Sequence, residues 1–111
     1  MKPPRVVILS EAIRCTAGQR DEAYGSPTTN LNNIAYLWTA YLIGKYHNKN
    51  LVIGDIADSS DFHITSEDVA WFNVLQKMAR TFNGVVKEDS YIDAAAYSAI
   101  AGECAAFEDE Q

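Results

Sequence analysis

One stretch limits the fold more than any other. Between Pro27 and Tyr46, the residues Leu31, Ile34, Ala35, Trp38, Tyr41 and Leu42 recur at i, i+3, i+4 and i+7 spacing. That is the period of a helix with one apolar face. Ser26 suits its N-cap and Pro27 its first helical position. Three other segments share the period. In residues 5–23, Val7, Leu9, Ala12, Ile13 and Thr16 fall mainly on one side, and polar residues take over after Gly18. A third helix begins at "TSED", where Thr65 and Asp68 have capping-box spacing and Glu67 suits the positive end of the dipole. Val69, Phe72, Leu75, Met78, Ala79 and Phe82 supply its apolar face, and Gly84 ends it. A fourth is expected from Ser90, with Asp93 three residues on, to about Phe107. Its alanines and Gly102 allow another helix to approach closely. These segments predict one all-α domain over residues 1–111, a four-helix bundle.

Between the second and third helices the pattern fails. Residues 47–64 read as a long loop insertion, with "LVI" as a short extended piece, and residues 108–111 as a solvated tail. Such a loop serves as a lid or a contact surface.

The charge balance narrows the partners. The net charge is −6, and the nine basic residues form no run or patch. Direct nucleic-acid binding is therefore disfavoured, because it needs clustered Lys and Arg. Nucleotides remain open to an acidic protein if a divalent metal neutralises the phosphates. A basic protein surface is another partner for it. The N-terminal stretch holds only four consecutive apolar residues, too few for a signal peptide or a membrane span. Cys15 and Cys104 sit in no CxxC and read as small buried thiols in a reducing compartment. The expectation is a cytoplasmic protein.

Two acidic clusters, Glu67/Asp68 and Glu88/Asp89/Asp93, sit at predicted helix starts. Acids there stabilise a helix by roughly 0.3–1 kcal/mol each, so capping alone can account for them. The other reading is a metal site, since Mg²⁺ takes hard oxygen ligands and Asp89 and Asp93 at i, i+4 share a helix face. An antiparallel hairpin would set Glu67 and Asp68 at the far end from Asp93, unless the site is offset or built between chains. Lys77 and Arg80 are either a solvated face or a clamp for phosphate or carboxylate. Arg20 and Tyr24, four residues apart, are either a helix end with a turn or a contact to a base or partner. No nucleophile motif such as GxSxG is present.

Three segments, "RDEAYGSPTTNLNNIAYLWTAYL", "ITSEDVAWFNVLQKMAR" and "EDSYIDAAAYSAIAGE", resemble a family of small phage and prophage proteins. More remotely, the layout is similar to the MazG-like all-α nucleoside triphosphate pyrophosphohydrolases, whose motif is EExxE, a spacer and ExxD. Glu67 and Asp68 match the first pair, with Asp68 a conservative change, and Asp93 matches the last acid. Trp71 and Ser90 stand where acids are expected, and Asp89 is one residue from the second of these. The resemblance implies a Mg²⁺ cofactor held by Glu67, Asp68, Asp89 and Asp93. From the residues themselves, Lys77 and Arg80 are expected to offset developing charge, and Arg20 and Tyr24 to contact the nucleotide.

The expected function is thus metal-dependent nucleotide binding, extending to pyrophosphohydrolysis if the reduced acid set suffices. The alternative is a non-enzymatic phage protein that binds a host protein through its acidic surface and the 47–63 loop. A homo-oligomer is expected, with the small-residue fourth helix and the aromatic second helix as candidate interfaces.

Overall fold

The computed structural model describes residues 2–17, 26–47 and 63–109, and every element among them is helical. Four α-helices run in order: α1 Pro4–Thr16, α2 Pro27–Tyr46, α3 Ser66–Ala79 and α4 Glu88–Asp109. A short 3₁₀ helix, Arg80–Asn83, links α3 to the turn before α4. The all-α fold agrees with the sequence reading, and so do the four α-helices among the described residues. Arg20, Tyr24, the body of the 47–63 loop with "LVI", and the tip of the tail lie outside the described residues. No described helix is long and apolar enough to cross a membrane.

The helix starts follow local chemistry. Pro4 begins α1 at a position where a missing N–H costs nothing. Ser26 Oγ accepts from the Thr29 N–H at 3.3 Å and caps α2. At α3 the capping box is complete. Asp68 N donates to Thr65 Oγ1 at 3.1 Å, and Thr65 N donates to Asp68 Oδ2 at 3.0 Å. Gly84 ends the 3₁₀ helix at φ 81°, left-handed backbone that a Cβ would strain.

One helix start differs from expectation, and so do parts of the apolar faces, with Trp38 and Tyr41 of α2 and Phe72, Leu75 and Met78 of α3 exposed. α4 begins at Glu88, not Ser90, so Ser90 lies within the first turn. The Ser90 N–H donates to the Lys87 carbonyl at 3.1 Å, and Glu88 and Asp89 occupy the first helical positions. Acids at those positions favour the earlier start through the dipole. On α1 the packed side is Ile8, Ala12 and Cys15, at i, i+4 and i+7, while Leu9 and Ile13 are exposed. Leu9 and Ile13 fit the same helical period, but α4 covers only one side of α1.

α4 is the spine. Its first half packs Ile92 and Ala96 against Ala12 of α1. Its second half packs Ala101 and Cys104 with Val69 and Ala70 of α3 and Leu31 and Ala35 of α2. α3 and α4 share the broadest contact, and they run antiparallel: Val69 and Ala70 lie near Ala101 and Cys104, whereas Lys77 meets Asp93. Cys104 is buried, Cys15 half-buried, and both thiols are free. Thr39, itself buried, ties the chain entering α3 to α2. Its Oγ1 donates to the Ala35 carbonyl at 2.7 Å and accepts from the Ile64 N–H at 2.9 Å. The 4-apart backbone acceptor leaves the hydroxyl's lone pairs free for this second bond.

Candidate functional site

The antiparallel hairpin brings the end of α3 next to the start of α4. A cavity of about 440 Å³ opens there, within the range of small-molecule sites. Arg80, Asn83 and Val85 line it from the connection, and Lys87, Asp89, Ser90 and Asp93 from the start of α4. Asn83 shapes the wall by accepting the Val85 N–H on its Oδ1 at 2.9 Å, an Asx turn across Gly84. Asp89 and Asp93 are both helical, so the i, i+4 spacing does set them on one side.

Lys77 reaches the same place from α3. Its Nζ lies 3.2 Å from Asp93 Oδ2, with only 15% of the Lys77 side chain and 40% of the Asp93 side chain exposed. The lysine stem is covered by the helix pair while its head meets the carboxylate at the cavity wall. Arg80 is exposed and lines the cavity directly. Two of the predicted metal ligands, Asp89 and Asp93, are therefore joined there by both predicted cations, Lys77 and Arg80.

The other two acids lie elsewhere. Glu67 and Asp68 open α3, at the end of the hairpin where Val69 packs with Cys104. Asp68 is engaged in the capping box. Glu67 Oε2 accepts from Trp71 Nε1 at 2.9 Å, one turn along the same helix. The tryptophan standing where the resemblance expects an acid is thus hydrogen-bonded to the acid four residues before it. Among the described residues, no three His, Cys, Asp or Glu side chains are grouped so as to hold a metal ion.

Sequence reasoning missed Asn83 and Lys87. Neither belongs to a periodic face, so neither carries a helical signal. The cue was their position: they bracket the glycine turn that separates Arg80 from the acids.

The comparisons with known proteins bear on the family. The chain is similar to the Gene 55 protein of Mycobacterium phage D29, 32% identical over 91 residues, covering 82% of this chain and 48% of that protein. It is also similar to the Gene 55 protein of Mycobacterium phage L5, 31% identical over 104 residues, covering 94% of this chain and 56% of that protein. The chain spans about half the length of these curated relatives. No solved structure matches it. The model of the family described as "Domain of unknown function (DUF6378)" matches residues 7–105, from within α1 to near the end of α4, and the chain belongs to that family.

Proposed function

We propose that the cavity at the α3–α4 connection binds a phosphate-bearing nucleotide together with a divalent metal. One observation carries the reading: Arg80 and Lys87 line a single cavity with Asp89 and Asp93. The guanidinium fork of Arg80 and the ammonium of Lys87 suit phosphate oxygens. The N-terminus of α4 adds its positive dipole end. Asp93, the acid that matches the end of the MazG-like motif, is in this cavity, whereas Glu67 and Asp68 are outside it.

The donor set fits a particular kind of metal binding. Mg²⁺ in nucleotide sites is held by one or two carboxylates, with water and substrate phosphate completing the shell. Asp89 and Asp93 supply that number, so the ion would arrive with its nucleotide and not be caged by the chain. When bound it would neutralise phosphate charge. Lys77, paired with Asp93 Oδ2, would stand beside the bound phosphate.

Thermal-shift and calorimetric titrations with a panel of nucleoside triphosphates, with Mg²⁺, Mn²⁺ or chelator, test this. Metal-dependent binding is expected for the wild type, weakened at least tenfold by Arg80→Ala and by Asp93→Asn with helicity unchanged. No heat and no shift for any nucleotide would remove the proposal. Appearance of monophosphate and pyrophosphate would extend it to the hydrolysis that the resemblance implies.

A second reading, a phage protein that acts by binding a host protein, is favoured by the separation of Glu67 and Asp68 from Asp93. The acids that the hydrolase motif draws on lie at two ends of one hairpin. Nucleotide binding without turnover, and host-protein capture lost on deleting the 47–63 loop, would favour it.

A further inference from the structure

We propose that two copies of this chain pair through the outer face of α3, with the neighbouring aromatics of α2 at the edge of the interface. α3 packs inward through Ser66, Val69 and Ala70, all buried. Its opposite side is also apolar: Trp71 is 42% exposed, Leu75 55% and Met78 48%, and Phe82 of the following 3₁₀ helix is 78% exposed. α3 is thus apolar on two sides, and only one of them is covered within its own chain.

The pattern of that outer side favours a second helix of the same kind. Trp71, Leu75 and Met78 are spaced four and three residues apart, the a/d rhythm of helix–helix seams. Phe72 flanks the seam and stacks on Trp38 of α2 with ring centroids 5.7 Å apart, so the patch continues onto α2, where Tyr41 is also exposed. The polar tip of Trp71 is already bonded to Glu67, which leaves its ring free for packing. At roughly 150–250 Å² per aromatic side chain, the exposed fractions of these residues amount to on the order of 800 Å². One side of a stable protein interface needs about 800 Å².

An uncharged seam suits an apolar partner surface, and an identical copy supplies one. The chain carries −6, so copies repel unless they meet on neutral ground. The seam's central side chains Trp71, Leu75 and Met78 are uncharged, with Glu67 held on the Trp71 indole at one end and Lys45 on Tyr41 at the α2 edge. The two cations within its span turn elsewhere, Lys77 to Asp93 and Arg80 to the cavity wall. A self-complementary patch also closes under two-fold symmetry. The interface thereby takes up the aromatic side of α2, one of the two sequence candidates, but not the small-residue face of α4. There, a side chain added at Gly102 would meet nothing within 4 Å.

Light scattering on a sizing column tests this with the full chain at tens of micromolar. The wild type is expected at twice the 12.3 kDa chain mass, and Leu75→Glu and Met78→Glu at the single mass with unchanged far-ultraviolet circular dichroism. Gly102→Arg should remain a dimer. A wild-type monomer overturns the proposal, as does a dimer that survives both glutamates or is lost in Gly102→Arg alone. Should either glutamate variant unfold, dilution of the wild type decides: dissociation must red-shift Trp38 and Trp71 emission at constant helicity. Dissociation without that shift places the interface elsewhere, and a wild type that captures only a foreign protein and never itself refutes it too.

Discussion

At the residue scale, the acids divide by what they already do. Asp68 is committed to the Thr65 N–H, and its place at the start of α3 follows from three-residue spacing alone. Asp93 has left the cap position assigned to it by sequence, because α4 starts two residues earlier, and its carboxylate instead meets Lys77. The two should therefore respond differently to substitution. Asp68→Ala is expected to lower stability by about 1 kcal/mol in urea unfolding, the size of one lost capping bond, with nucleotide affinity unchanged. Asp93→Asn should do the reverse, since a half-exposed ion pair contributes little to stability. Equal affinity losses in both would place Glu67 and Asp68 back in the ligand site. The pairing of Lys77 with Asp93 was half legible: the one-turn spacing of Lys77 and Arg80 placed them near the acids, but only the helix register decided that Lys77, and not Arg80, makes the contact.

At the element scale, the connection between α3 and α4 does most of the positioning. The 3₁₀ helix tightens the end of α3, Gly84 reverses the chain in left-handed backbone, and Asn83 closes the Asx turn. Gly84→Ala introduces a Cβ into a φ of 81°, with nothing within 4 Å to clash, so its cost is backbone strain alone. The expected loss is about 1 kcal/mol, with weaker nucleotide binding because Asn83, Val85 and Lys87 lose their fixed spacing around the cavity. Denaturant melts and a titration of the same variant check both parts. An unchanged affinity would mean that the connection does not shape the ligand site. Sequence placed Gly84 correctly as a terminator. It did not reveal the cavity, because Arg80 and Asp89 are distant along the chain and share no helical face.

At the scale of the whole molecule, the buried core is made largely of small side chains, with Ala12, Ala35, Ala70, Ala96 and Ala101 among them, while most of the large aromatics are on the outside. A second copy would change that balance, so stability should depend on concentration. Raising the protein from about 1 to 100 μM is expected to lift the wild-type melting temperature by several degrees, as mass action requires for a folded dimer, and to leave Met78→Glu unmoved. A wild-type melting point independent of concentration would count against the pairing. The sequence by itself determined the four helical periods, three of the local start and stop signals and the all-α class, because each depends on residues within about four positions of one another. It could not rank the faces of a helix apolar on two sides: Leu9, Ile13, Phe72 and Leu75 all satisfied the period expected of core residues and are exposed. Nor could it bring Lys87 beside Arg80 or separate Glu67 from Asp93. Those outcomes rest on the direction and register of α3 along α4, which are set by packing between distant segments and therefore exist only in the tertiary structure.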